Sequence, residues 1–249
     1  MRQDFLILAS PGLRMFKLSR LPTGEPEVFV SIQGEGVTMG VPSVFIRLSL
    51  CNLKCSWCDT KYTWDWAHYD PKREIIPIQS EDIVQRVTQT GVKNVVITGG
   101  EPMQQQRELV SLVQALKCLN HRLEIETNGT IAANSALADG IDQWNVSPKL
   151  ENSGNNRAER EVAESLTWFS CQPNAFFKFV ITDPVDLSEV DELVARYEIP
   201  SDRVLLMPES TDIATLAQRS TWLVESCCRR GYRFTTRLHV ALWGTQRGR

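Results

Sequence analysis

Short runs of β-branched and aromatic residues alternate along this chain with longer stretches in which apolar residues recur at helical spacing. The short runs predict strands at residues 44–48, 95–98, 123–126, 143–146, 176–181, 204–207 and 232–238. The longer stretches predict helices at residues 82–88, 109–116, 187–197 and 214–227. Because strands that alternate with helices build βαβ units, we expect an α/β fold with a parallel sheet.

The number of these units limits the architecture. About six parallel strands are fewer than the eight of a closed α/β barrel, so the pattern predicts a partial, open TIM-like barrel. A chain of 249 residues suits a single domain, which we place at residues 27–249. Residues 1–26 hold five prolines and glycines and no core-forming pattern, so we expect a poorly ordered extension, most of which a translation start at Met15 would remove. The polar segment 152–160 predicts a mobile loop.

Composition narrows the class of function. No apolar run reaches the length that a membrane span needs, although 42% of the residues are hydrophobic. The net charge of −3 offers no basic surface of the kind that binds nucleic acid. Seven cysteines without paired spacing argue against a disulfide framework and for a reducing compartment, so we expect a cytoplasmic protein.

Three of the cysteines form a Cys-x3-Cys-x2-Cys sequence, Cys51, Cys55 and Cys58, directly after a predicted strand. Iron–sulfur clusters usually take four thiolates, so three ligands on a four-iron cluster leave one iron open to another molecule. A structural zinc site with His68 as a distant fourth ligand is the alternative, but zinc sites usually add a second cysteine pair. We interpret the remaining cysteines as small buried apolar side chains and not as ligands of a second cluster: Cys118, Cys171, Cys227 and Cys228.

Other motifs follow predicted strands at the same edge of the expected sheet. They are Gly99-Gly100-Glu101-Pro102, Thr127-Asn128-Gly129 and Ser147-Pro148-Lys149. Two glycines let the backbone approach a ligand, and Glu101 can accept hydrogen bonds from an ammonium group. Each motif alone is common in turns, but the carboxyl ends of parallel strands share one edge, where ligands bind. Their joint occurrence therefore predicts one site beside the cysteines.

The cysteine loop followed by Gly-Gly-Glu resembles the radical S-adenosylmethionine (SAM) enzymes. From about residue 28 to the C-terminus, the chain more specifically resembles the 7-carboxy-7-deazaguanine synthase family of those enzymes. The motifs that carry this resemblance are Ser31-Ile32-Gln33-Gly34-Glu35-Gly36, Phe45-Ile46-Arg47-Leu48, Trp57-Cys58-Asp59-Thr60, Thr98-Gly99-Gly100-Glu101-Pro102, Glu126-Thr127-Asn128-Gly129, Ser147-Pro148-Lys149 and Leu242-Trp243-Gly244. The resemblance implies the radical SAM type of partial barrel and a lyase of the 7-deazapurine pathway that leads to queuosine.

The reaction implied by this resemblance converts 6-carboxy-5,6,7,8-tetrahydropterin to 7-carboxy-7-deazaguanine with loss of ammonia. A reduced [4Fe–4S] cluster cleaves SAM in that family, and the deoxyadenosyl radical takes a hydrogen from C6 of the pterin. The hydrogen is later returned, so SAM is regenerated. The implied cofactors are the cluster, SAM and Mg²⁺. The implied partners are a second copy of the chain, in a homodimer, and an electron donor such as flavodoxin or ferredoxin.

The resemblance also implies roles for individual residues. Arg47 and Gln33 take catalytic roles, with the planar guanidinium of Arg47 holding the substrate carboxylate. Substrate contacts are implied for Ile32, Gln33, Gly34, Arg47 and Thr98. SAM contacts are implied for Trp57, Cys58, Asp59, Gly100, Glu101, Ser147, Pro148, Lys149, Met207, Pro208, Glu209 and Ser210. Thr60 is expected to give an oxygen to Mg²⁺, and His239 to lie in a tail over the substrate.

Two alternatives of other kinds stay open. A radical-generating activase that acts on a glycyl-radical protein would share the cysteine loop and Gly-Gly-Glu, but it has no need of Gln33, Arg47 and Thr60. A zinc-stabilised domain without enzymatic activity would leave Glu101 and Lys149 without a role. Colour distinguishes the zinc-stabilised domain from both radical enzymes, because a four-iron cluster makes anaerobically purified protein brown.

Overall fold

A mostly parallel, open sheet forms the centre of the protein in a computed structural model that describes residues 15–249. Its strands are β1 (Met15–Ser19), β2 (Val28–Ile32), β3 (Pro42–Leu48), β4 (Ile75–Gln79), β5 (Asn94–Gly99), β6 (Arg122–Thr127), β7 (Gln143–Val146), β8 (Ala175–Ile181), β9 (Val204–Pro208) and β10 (Arg233–Phe234). Within these residues the order is β10-β9-β8-β7-β6-β5-β3-β1-β4, and β2 pairs with β3. The predicted α/β fold with a partial, open barrel is confirmed.

Nine α-helices are described within residues 15–249, and the longer ones pack their apolar faces against this sheet. The nine are α1 (Pro71–Glu74), α2 (Ser80–Gln89), α3 (Gln106–Cys118), α4 (Ser135–Ala138), α5 (Arg157–Arg160), α6 (Ala163–Ser170), α7 (Asp186–Arg196), α8 (Ile213–Arg230) and α9 (Leu238–Trp243). The longer helices are those that helical spacing predicts, and each buries one apolar face; α3, for example, buries Leu109, Leu112, Val113 and Leu116. No helix within residues 15–249 is both long enough and apolar enough to cross a membrane.

The parallel strands bury apolar side chains on their outer face against the helices. In β5, Val95 and Ile97 are fully buried in this core, and in β8 Phe177 and Phe179 are as well. Side chains alternate along a strand, so the residues between them point to the inner face of the barrel. The core therefore lies between sheet and helices, and the inner face is left for other chemistry.

The prediction of a poorly ordered extension is wrong for residues 15–19. These residues form β1, which pairs with β4 and β3, and Phe16 and Leu18 are fully buried. The apolar alternation is only two residues long here, too short to stand out from the prolines and glycines around it. Residues 1–14 of the predicted extension lie outside the described residues.

Two further expectations are corrected. The strand predicted at 232–238 is real only at Arg233–Phe234, because the chain then leaves the sheet and the Leu238 amide donates to Gly34 O at 2.9 Å, where α9 begins. Of the four cysteines predicted to be buried, Cys227 is buried but Cys118, Cys171 and Cys228 are exposed. Those three lie at helix ends or on an outward helix face, where spacing alone gives little information.

Candidate active site

A row of polar side chains lies on the inner face of the sheet, near the carboxyl ends of neighbouring strands. Arg47 of β3 is in register with Thr98 of β5, and Glu126 of β6 is in register with Asn145 of β7. Lys178 extends the row from β8. All five line a cavity of about 220 Å³. Parallel strand order thus brings residues distant in sequence side by side.

The cysteine loop borders the same cavity. Cys51, Cys55 and Cys58 all line it, as the spacing predicts. The loop begins against the Gly-Gly turn: a Cβ on Gly99 would lie 2.0 Å from Leu48 O, and one on Gly100 would lie 2.1 Å from Leu50 O. These glycines are therefore required by the path of the cysteine loop itself.

The three cysteines suit a four-iron cluster better than a single metal ion. Among residues 15–249, no group of three or more His, Cys, Asp or Glu side chains is arranged to hold one metal ion. A four-iron cluster binds each thiolate to a different iron, so its ligands need not share one metal position. Burial raises the pKa of Cys51 to about 12 and also raises that of Cys55, so bound metal would be needed to keep these thiols deprotonated.

Glu126 is the best-defined carboxylate in the cavity. Its Oε1 accepts a hydrogen bond from Gln33 Nε2 at 3.1 Å, and its Oε2 accepts one from Thr98 Oγ1 at 2.7 Å. Gln33 and Thr98 were both expected to contact substrate, and the structure instead joins each to Glu126. Because both donors fix the plane of the carboxylate, Glu126 presents a defined acceptor edge.

Arg47 carries a fixed side chain with unused donors. Its Nε donates to Glu27 Oε1 at 2.8 Å, and the fully buried Glu27 also accepts from Tyr62 and Arg247. Within the described residues this ion pair uses Nε alone, so the two terminal nitrogens of Arg47 have no such partner. A guanidinium held this way can bind a carboxylate in the two-pronged manner.

Ion pairs occupy another side of the cavity, which we call the charged side: Glu35, Lys178 and Arg237, which are largely buried, and the more exposed Asp59. Glu35 pairs with Lys178 and Arg237, and Arg237 also pairs with Asp59 and donates to Ser210 O. Burial alone would raise the pKa of Glu35, but the charges of Lys178 and Arg237 outweigh it and hold that pKa well below its usual range. All four groups are therefore ionised at neutral pH.

His239 lies beside this network, with Nε2 3.9 Å from Glu35 Oε1. Burial lowers the pKa of His239 despite the nearby Glu35, so the imidazole is mainly neutral at pH 7. A Cβ on Gly34 would lie 2.5 Å from His239 Nδ1, which explains why glycine is needed at this position. His239 does reach the cavity, as expected of the C-terminal tail.

Several expected SAM contacts lie at the cavity wall and others do not. Of the expected SAM contacts, those that line it are Trp57, Cys58, Asp59, Gly100, Ser147, Lys149, Met207 and Glu209. Thr60, expected to bind Mg²⁺, lines it too, as do Ile32 and Gly34 from the expected substrate set. The lining does not include Glu101, Pro148, Pro208 or Ser210. Glu101 is fully buried, and its carboxylate accepts hydrogen bonds from Met103 N, Thr127 Oγ1 and Asn128 N.

Sequence reasoning assigned no role to some residues that the structure brings to the cavity: Glu35, Glu126, Asn145, Lys178 and Arg237. A signal existed for Lys178, since one lysine interrupts the otherwise apolar strand Ala175–Ile181. Glu126 similarly lies near the end of β6, within the motif Glu126-Thr127-Asn128-Gly129. Arg237 lies within the strand predicted at 232–238 but follows β10 in the structure, so no local signal marked its place at the cavity.

An open parallel sheet whose carboxyl edge carries a three-cysteine loop over a polar cavity is the architecture of a radical SAM protein. The model of the Radical SAM superfamily matches residues 46–149. The curated 7-carboxy-7-deazaguanine synthase of Pyrobaculum aerophilum is 39% identical over 227 residues, which cover 90% of this chain and 96% of the relative. The curated 7-carboxy-7-deazaguanine synthase of Rhodopirellula baltica is 36% identical over 89% of this chain and 87% of the relative.

A solved structure gives the same result in three dimensions. The crystal structure of QueE from Escherichia coli is 28% identical, covers 90% of this chain and 95% of its own, and superposes with a TM-score of 0.67. The chain belongs to the 7-carboxy-7-deazaguanine synthase family. Membership of this radical SAM family implies a [4Fe–4S] cluster and SAM as cofactors, and the three cysteines that line the cavity would hold the cluster.

Proposed function

We propose that this protein converts 6-carboxy-5,6,7,8-tetrahydropterin to 7-carboxy-7-deazaguanine, with loss of ammonia, in queuosine and related 7-deazapurine biosynthesis. The observation that carries the proposal is the row Arg47, Thr98, Glu126 and Asn145 beside the cysteine loop. In this row, Arg47 offers a cation that suits the carboxylate of the proposed substrate. Glu126 offers a carboxylate that suits the N–H donors at the other end of that substrate. An activase for a glycyl-radical protein has no need of this pairing.

The chain's own residues would bind and orient the substrate. The terminal nitrogens of Arg47 hold the substrate carboxylate, and Glu126 accepts hydrogen bonds from the amino-pyrimidine edge. Gln33 and Thr98 keep Glu126 in position, so their effect on binding passes partly through that carboxylate. Cluster and SAM, when bound beside the three cysteines, would supply radical chemistry toward the substrate that these residues hold.

For SAM, we propose contacts from Trp57, Cys58, Asp59, Gly100, Glu101, Ser147, Pro148, Lys149, Met207, Pro208, Glu209 and Ser210. The residues among these that line the cavity support the assignment directly. Two of them, Lys149 and Trp57, also contact each other, with Lys149 Nζ 5.7 Å from the centroid of the Trp57 ring. Glu101 holds the Thr127–Asn128 turn, so it would act on SAM through that turn unless its hydrogen bonds rearrange.

We also propose that Thr60 contributes one oxygen to a Mg²⁺ ion. Thr60 lines the cavity close to Arg47 and Asp59, where a substrate carboxylate would lie. Mg²⁺ prefers oxygen ligands and retains several waters, so one protein ligand plus the substrate suffices. Turnover of Thr60→Val at rising Mg²⁺ concentration tests this assignment, because loss of a ligand shifts the half-saturating concentration upward.

Homodimerisation, cytoplasmic location and an electron donor such as flavodoxin or ferredoxin complete the proposal. Support for the homodimer comes from apolar surface on and near the edge strand β2, where Val30, Met39 and Val41 are exposed. Sedimentation velocity tests it, and a monomer at every concentration would contradict it.

The deciding experiment is an anaerobic assay with dithionite, SAM and the carboxylated tetrahydropterin. We expect 7-carboxy-7-deazaguanine by mass spectrometry, with product far in excess of SAM consumed. Purified protein should be brown and contain iron and sulfide. A colourless protein with one zinc per chain would exclude the radical reaction, and a brown protein that cleaves SAM without product would exclude this substrate.

A further inference from the structure

The segment 150–155 packs against the cysteine loop, contrary to the expectation of a mobile loop at 152–160. Glu151–Ser153 forms a turn of 3₁₀-helix, and Ser153 is fully buried. The Ser56 amide donates to Ser153 O at 2.9 Å, and Trp57 Nε1 donates to Asn152 O at 3.1 Å. This segment therefore packs directly against the cysteine loop and is hydrogen-bonded to it.

Asn155 makes the contact of most chemical interest in this segment. Its Oδ1 accepts a hydrogen bond from the Lys54 amide at 2.7 Å, which fixes the orientation of the side-chain amide. The Nδ2 group must then face the other way, where it donates to Cys55 Sγ at 3.3 Å and to Ser153 Oγ at 3.1 Å. Ser153 Oγ donates its own hydrogen to Leu150 O, so it is free to accept. Every donor in this network has an acceptor.

A second cysteine sulfur has a similar partner. Trp64 Nε1 lies 3.4 Å from Cys58 Sγ, and an indole nitrogen can only donate. Both donors are neutral and come from outside the Cys-x3-Cys-x2-Cys sequence. Their hydrogen bonds end on atoms that ligate the cluster in this family.

We propose that Asn155 is a positioning residue that raises the reduction potential of the cluster through its hydrogen bond to Cys55 Sγ. Reduction adds one electron from an external carrier to the cluster, with no bond made or broken. An N–H dipole aimed at a ligand sulfur stabilises the more negative, reduced state, so reduction becomes easier. Trp64 acts in the same direction through Cys58. The inference rests on the cluster of the proposed function and is independent of the substrate.

Two substitutions of Asn155 separate the effect of losing the hydrogen bond from the effect of adding a negative charge. Asn155→Leu removes the N–H donor without adding charge, whereas Asn155→Asp keeps the acceptor for the Lys54 amide but replaces the donor by a carboxylate. Ser56→Ala is the matched control, because it removes the 3.5 Å contact from Ser56 Oγ to Asn152 O and leaves both sulfur contacts intact. The readout is the midpoint potential of the cluster, from an anaerobic titration followed by electron paramagnetic resonance, on protein with full iron and sulfide content.

We expect Asn155→Leu to lower the equilibrium constant for one-electron reduction of the cluster about tenfold. This corresponds to a fall of about 59 mV in its midpoint potential. Asn155→Asp should lower the potential further, and Ser56→Ala should match the parent protein. A parental potential in Asn155→Leu, or a fall in Asn155→Asp alone, would overturn the proposal. If Asn155→Leu does not retain the cluster, Asn155→Ser is measured by the same criterion.

Trp64→Phe provides an independent arm, since it removes the indole donor and keeps most of the ring. It should lower the potential in the same direction, and a parental value would overturn the general role of these sulfur contacts. A parent protein that lacks iron would refute the proposed function before any titration. A parent that holds the cluster but forms no product would refute the substrate and leave the present inference standing.

Discussion

Charge is stabilised in different ways on two sides of the same cavity. On the cysteine side, the sulfurs receive neutral N–H donors from Asn155 and Trp64. On the charged side, Glu35, Asp59, Lys178 and Arg237 are already paired with one another. A metal cluster brings its own positive charge, so the thiolates need only weak dipoles around them.

The charged side has no such external partner before substrate binds. An unpaired ion in a buried site is costly, and the side chains of Lys178 and Arg237 are only 11% and 8% exposed. Mutual pairing keeps these groups ionised and in fixed positions. The cysteine side is thus built to be completed by its cofactor, whereas the charged side is complete in the protein alone.

The largest effect is expected from Cys55→Ala, which should abolish both the cluster and SAM cleavage. The fold should persist, because the apolar core between sheet and helices does not include the three cysteines. Iron analysis, SAM cleavage assays and circular dichroism check the three parts. Global unfolding of the variant would show that the cysteine side is structural, and the contrast drawn above would fail.

Arg237→Met should cost about 3 kcal/mol in the free energy of unfolding, because it leaves the mostly buried Glu35 less compensated, while the more exposed Asp59 adds little to this cost. Denaturant unfolding of the cluster-free protein measures this without any contribution from metal. Arg86→Met is the matched control, since Arg86 pairs with Glu25 at the surface and should cost less than about 1 kcal/mol. Equal effects in the two variants would contradict a special charged side.

Arg47→Lys is expected to lower turnover about tenfold or more. The substitution keeps the charge but loses the two-pronged geometry, and a charge-assisted hydrogen bond is worth about 1.5–3 kcal/mol. Cluster content and SAM binding should match the parent protein. A variant that loses the cluster yet keeps pterin affinity would show that Arg47 belongs structurally to the cysteine side.

Deletion of residues 1–14 should have the smallest effect, with turnover within about two-fold of the full chain, since a factor of two is under about 0.5 kcal/mol. The described residues that line the cavity begin at Phe29, and the motifs begin at Ser31. Steady-state kinetics of the shortened and full chains provide the test. A large loss would mean that the segment contributes to one side of the cavity or to the dimer.

The sequence alone predicted the elements with strong local signals. Residues 143–146 form β7 as expected, and the helix predicted at 187–197 is α7 at Asp186–Arg196. The cysteines, Arg47 and Thr98 reach the predicted edge because parallel strands share their carboxyl ends. The strand at Met15–Ser19 and the ordered segment at 150–155 were missed, since both depend on partners far away in the chain.

Spacing, strand order and the resemblance of the motifs to a known family therefore predicted a cluster-binding α/β enzyme with its site at one edge of the sheet. Only the tertiary structure decided how the site is held. Arg237 contacts Asp59 and Glu35, which are 178 and 202 residues away in the sequence. Asn155 likewise contacts Cys55, which is 100 residues away. Local periodicity reports which face of an element is buried, but a hydrogen bond between distant loops depends on where the whole fold places them.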